Sequence, residues 1–151
     1  MKTLRLAATF ALLCSPLALA AADDKAAAKG DLAKLQGKWT TQIGPEKEIN
    51  LTVTFADHKV TASGARPQGD KFEVRGEVRL DENAKPRKTI DWVKFVDPDG
   101  NTIADNLGIY EFTDADTVRI CNGGPGKDRP TEFKAGEDAA PSLIVLKRDK
   151  D

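Results

Sequence analysis

The chain has 151 residues, 40% hydrophobic and 31% charged, with 23 lysines and arginines against 24 aspartates and glutamates. This balance gives no electrostatic case for binding nucleic acid, and two cysteines are too few for a disulfide framework. The one long apolar run, near the amino terminus, is too short to span a bilayer.

Lys2 and Arg5 precede the apolar residues 6–13, and Ala18, Leu19 and Ala20 form a small-residue cleavage pattern. Together they read as a signal peptide over residues 1–20, which predicts a secreted or periplasmic protein. Cys14 is the one candidate for lipidation, but Leu13 before it is larger than a lipoprotein signal wants. Cleavage near Ala20 removes two of the 23 basic residues, leaving 21 against 24 acidic ones and a net charge of −3. Cys14 leaves with the signal, so Cys121 has no partner for an internal disulfide, and a single hydrophobic core must hold a single domain.

Residues 21–30 contain no large apolar side chain and are expected to be a flexible linker. In residues 31–37, D-L-A-K-L-Q-G, Asp31 is placed to cap a short helix. Leu32 and Leu35 share one face of it, and Gly37 provides the exit. Trp39, Thr41 and Ile43 then alternate with polar residues, the period of a half-buried strand that Gly44 and Pro45 end. Ile49, Leu51, Val53 and Phe55 repeat the pattern, Asp57 and His58 turn the chain, and residues 59–63 return.

After a loop over residues 64–70, residues 71–80 put Phe72, Val74, Val78 and Leu80 on one face. Glu73, Arg75, Glu77 and Arg79 take the other. Gly76 falls on the inner face at the centre, where a glycine lets a strand bend as closing a small barrel requires. Residues 89–96 place Ile90 and Trp92 on one face but Val93 and Phe95 on the other, and this slip of parity predicts a bulge. A turn over residues 97–101 leads to a hairpin of strands 106–112 and 117–121. A glycine-rich loop (122–130), a short extended piece (131–134) and a further loop precede a last apolar strand over residues 143–148. Residues 149–151 are a tail.

These are eight or nine short strands joined by frequent turns, an antiparallel meander. An open sheet of that size leaves two exposed edges, which closure into a barrel removes. A two-sheet sandwich is the competing solution.

The helical segment followed by Gly37-Lys38-Trp39 resembles the G-x-W signature of lipocalins and their calycin relatives. In those proteins a basic residue near the last strand packs over the tryptophan, and Arg148 or the adjacent Lys147 would take that place here. L-Q-G-K-W, K-T-I-D-W, G-I-Y-E-F from Gly108, R-P-T-E-F from Arg129 and the closing L-I-V-L-K-R together resemble the lipocalin-like domain family abundant in planctomycete bacteria, over residues 31–148. The resemblance implies an eight-stranded antiparallel up-and-down barrel with a short helical plug at its amino terminus. The family has no established activity.

A barrel of eight strands fills with side chains or holds one small ligand. The expected inward residues are Ile43, Leu51, Val53, Phe55, Phe72, Val74, Val78, Ile90 and Trp92, all apolar, so a ligand among them is a small hydrophobic molecule; a packed core is the other reading. Asp97, Asp99 and Asn101 alternate oxygens, but Gly100 is fourth where a calcium loop wants glycine sixth, so a solvated turn is expected. Gly123-Gly124-Pro125-Gly126-Lys127 lacks the upstream glycine and the Ser or Thr of a phosphate loop. His58 and Cys121 are too few for a zinc site, and Cys121 reads as an inert thiol. Tyr110, Glu111, Arg129 and Glu132 are candidates for a polar cluster at one barrel end. The sequence therefore points to a non-enzymatic, cofactor-free, metal-free monomer that binds a small hydrophobic molecule. The alternative is an extracellular interaction module whose loops at 64–70 and 122–130 touch another protein around a filled barrel.

Overall fold

The computed structural model describes residues 28–136 and 141–150. The signal peptide, Cys14 and most of the linker expected from the sequence lie outside the described residues. Helix α1 (Gly30–Leu35) is followed by strands β1 (Gly37–Ile43), β2 (Ile49–Ala56), β3 (Lys59–Ala65), β4 (Lys71–Asp81), β5 (Thr89–Val96), β6 (Thr102–Ile103), β7 (Asn106–Asp114), β8 (Thr117–Pro125) and β9 (Ser142–Arg148). Each long strand pairs antiparallel with the next, β5 pairs with β7, and β9 returns to β1 through Trp39↔Arg148 and Thr40↔Lys147. The sheet is thus a closed eight-stranded antiparallel barrel, not a two-sheet sandwich, and β6 is a two-residue ribbon on the edge of β5.

Alternation of apolar and polar residues builds the core as expected. Trp39, Phe55, Val60, Val78, Ile90, Val118, Ile120 and Leu146 are all buried inside the barrel, and Leu32 and Leu35 of α1 close over them. The predicted bulge lies one residue beyond the slip of parity. Gly76 faces both Lys94 and Phe95, because Arg75 pairs with Val96 and Glu77 with Val93. Lys94 takes the left-handed conformation, φ 56°. The extra residue returns Phe95 to the interior, edge-on to Trp92 with ring centroids 6.1 Å apart, so the expectation that Phe95 faces outward with Val93 is corrected. Two further expectations are corrected: β8 runs on through Gly123 to Pro125, and residues 131–134 form no strand.

The helix is held by charge rather than by its own cap. Lys29 occupies the cap position without a side-chain bond, and the Asp31 backbone N–H instead donates to Glu82 Oε2 at 2.8 Å, from the β4–β5 connection. Asp31 is therefore not the cap its position suggested. Its buried carboxylate accepts from Lys34 Nζ at 2.7 Å, Lys88 Nζ at 2.6 Å and Tyr110 OH at 2.9 Å, tying α1 to the barrel wall. At the other end of α1, Gln36 Nε2 donates to the Leu32 and Asp57 carbonyls while its Oε1 accepts from the Asp57 N–H at 2.6 Å. Gly37 leaves the helix at φ 98°, as the exit requires.

Burial acts to raise the Asp31 pKa, but the donors from Lys34, Lys88 and Tyr110 outweigh it and bring the group down to about 2. A folded-state pKa below the unfolded one gives stability that is complete above about pH 4 and lost as pH falls through 2. The loss should amount to about 2 kcal/mol. Urea unfolding at stepped pH should show this loss in the wild type and not in Asp31→Asn, whose stability is lower but flatter between pH 5 and 2.

Candidate functional site

The barrel is filled near the helix and hollow beyond it. Trp39, Val53, Ala62 and Val74 stand opposite one another across β1 to β4, and Thr41, Leu51, Gly64 and Phe72 make the next inward row. The small side chain of Ala62 leaves that part of the interior unfilled. The result is a cavity of about 230 Å³ walled by Leu51, Val53, Ala62, Val74, Trp92, Phe95, Ile103 and Ile144, with Asn106 and Asn122 as its polar members. It reaches the surface beside β6, where Ala104 and Pro125 are exposed.

Of the nine residues expected to face a ligand, Leu51, Val53, Val74 and Trp92 line this cavity. Phe55, Val78 and Ile90 belong to the packed core. Ile43 and Phe72 are half-buried and off the cavity wall. The Phe72 ring lies against Gly64 and carries the Arg66 guanidinium 5.2 Å from its centroid.

The sequence reading missed Asn122. It continues the inward set Val118, Ile120, Asn122, a parity visible in the sequence but masked by the glycines that follow. The side chain is 7% exposed, and its Oδ1 accepts the Trp92 indole N–H at 2.8 Å. Gly108, its register partner on β7, makes the room: a Cβ there would come within 2.6 Å of Asn122 Oδ1. Asn106 pairs with Trp92 in register, and its Oδ1 accepts the Gly124 N–H at 2.9 Å.

A second, larger depression of about 670 Å³ lies on the outer wall. Beyond Thr40 the strands β1 and β9 diverge, and the gap is lined by Gln42, Lys47, Asn50, Leu143 and Val145 among others. Leu51 and Ile144 belong to the walls of both spaces.

The remaining candidates resolve into structure. Asp97 accepts from the Asp99 and Asn101 backbone and from Asn101 Nδ2, and these bonds, the Asn101 side chain foremost, hold its carboxyl below the usual range. Its lone pairs serve their own turn. Among the described residues no cluster of three or more histidine, cysteine or acidic side chains is placed to hold a metal ion. The glycine-rich segment is only in part the loop expected of it: β8 takes it as far as Pro125, Gly123 is buried, Gly126 N–H donates to the Asp105 carbonyl at 2.8 Å, and Lys127 N–H to that of Gly124.

His58 sits in the β2–β3 turn with Nδ1 3.2 Å from the Val78 carbonyl oxygen. The buried Cys121 thiol donates to the Lys134 carbonyl at 3.5 Å, and burial pushes its pKa up. The expected polar cluster does not assemble. Tyr110 points inward to Asp31, Glu111 pairs with Arg119, and Arg129 binds Asp91 and the Gly108 carbonyl. The segment after Arg129 straps the outer wall, with the Phe133 ring between Arg119 at 4.3 Å and Arg87 at 5.1 Å. Comparison of the chain with protein-family models, curated proteins and solved structures gave no significant match.

Proposed function

We propose that this is an exported, lipocalin-like carrier of a small hydrophobic molecule, acting as a monomer without catalysis, its first 20 residues removed on secretion. The observation that carries the reading is the interior cavity: largely apolar walls, an opening to the surface beside β6, and a volume of about 230 Å³. That is below the range of about 300 to 1,000 Å³ usual for drug-sized ligands, so the cargo is small. An interaction module built on a filled barrel would not need this space. The arginine over Trp39 and the helical plug support the lipocalin-like reading on geometry alone.

Native mass spectrometry of the protein recovered from the organism that makes it tests carriage and export together. The expected spectrum shows a mature chain cut near Ala20 carrying a non-covalent apolar adduct. Ala62 stands on the cavity wall between Val53 and Val74, so Ala62→Trp should fill the space and abolish the adduct while the barrel stays folded. An empty wild-type protein, or an adduct that Ala62→Trp retains, overturns the reading.

A further inference from the structure

Two amides line the cavity, and each is held in one orientation by a partner able only to donate. The Trp92 indole N–H donates to Asn122 Oδ1 at 2.8 Å, and the Gly124 backbone N–H donates to Asn106 Oδ1 at 2.9 Å. Neither partner can accept, so in both amides the oxygen is engaged and the Nδ2 amino group is turned the other way. Among the described residues neither Nδ2 has an acceptor. Asn122 is 7% exposed, and its Nδ2, like that of Asn106, is still within reach of water on the wall of a space whose other members are apolar. A ligand that covers these donors without offering an acceptor leaves them unpaired at a cost in free energy that a carbonyl oxygen avoids.

We infer that the ligand presents an uncharged carbonyl oxygen, as in a ketone, aldehyde or ester, to the Nδ2 groups of Asn122 and Asn106, and is apolar elsewhere. This rests on the cavity being the ligand site. The chemistry selects against the alternatives. No charged side chain lines the cavity, so a carboxylate would lose its water with no cation to replace it. A hydroxyl can also accept from these donors, but its own proton then has to find the second lone pair of an amide oxygen that already holds a donor, a geometry a carbonyl ligand does not need. Gly108 keeps the arrangement open, because any side chain there would displace the Asn122 amide.

Three probes of equal length separate these cases: 2-octanone, 2-octanol and octanoate, titrated into wild-type protein freed of lipid and followed by 1H-15N correlation spectra at pH 7.5. The ketone should bind about tenfold more tightly than the alcohol, with octanoate weaker still. The side-chain amide signals of Asn122 and Asn106 should move with the ketone. Equal affinities, or ketone binding that leaves those signals in place, overturn the inference and leave carriage standing. Failure of all three to bind removes the cavity reading and the inference with it. Asn122→Leu should erase the preference for the ketone. Should that variant fail to fold, Asn106→Leu should reduce the preference, and the wild-type series decides without either.

Discussion

Gly76→Ala should destabilise the barrel by about 3 kcal/mol, read as a lower urea midpoint with unchanged slope. Gly76 lies on the inner face of β4 opposite the bulge in β5, and the Phe95 ring covers its bare backbone, so that a Cβ would run into three of the ring carbons. The ring cannot retreat cheaply, because it packs edge-on to Trp92 and closes one side of the cavity. The φ of Gly76 is not in the left-handed region, so alanine would meet no backbone strain there, and the penalty is steric alone. In a Phe95→Ala background, which itself costs about 3 to 5 kcal/mol, the same change should cost under about 1 kcal/mol. An equal penalty in both backgrounds would show that the glycine serves the bend of the strand and not the ring.

This pair of residues shows what a single chain discloses. Alternation along β2, β4 and β8 names inward positions such as Val53, Val78 and Val118, because each side chain's face follows from its own place in the strand. The parity slip in W-V-K-F discloses a bulge, yet not where it falls, and moving it by one residue carried Phe95 from one face to the other. The part of Asp31 was hidden for a different reason. Its partners Lys88 and Tyr110 are more than fifty residues away, and a carboxylate at the start of a helix looks the same in sequence whether it caps that helix or pins it to a wall. Asn122 was missed because turn-forming glycines follow it; only the register with Gly108 places it inside. The cavity walls were half legible. Leu51, Val53, Val74 and Trp92 follow from periodicity, whereas Ala62, Ile103 and Ile144 line the space through pairings that the sequence does not print.

Trp39→Ala should cost about 3 to 5 kcal/mol, and the interest lies in how much of that loss depends on Arg148. The indole is fully buried, donates from Nε1 to the Leu35 carbonyl at 2.7 Å, and lies under the Arg148 guanidinium at 4.2 Å from the ring centroid. That guanidinium also serves the end of α1, donating to the Gln36 carbonyl at 2.9 Å and the Lys34 carbonyl at 2.5 Å, and Nε stands 3.2 Å from Asp116. Arg148→Met keeps an apolar stem over the ring but abandons the two carbonyls, so it should cost about 2 kcal/mol. Asp116 is well exposed, so its ion pair adds little. A double-mutant cycle should return a coupling of about 1 kcal/mol between positions 39 and 148, the part that belongs to cation and ring together. Barrel closure makes the pair matter beyond its energy. Among the described residues, Trp39↔Arg148 and Thr40↔Lys147 are the only register pairs joining first strand to last, and beyond Thr40 the wall is already parted. Hydrogen exchange in Arg148→Met should therefore quicken first at the β1 and β9 amides, with the β2–β3 and β7–β8 ladders still protected. Strictly additive losses, or exchange that rises evenly around the barrel, would mean that the two ends are held by something other than this stacked pair.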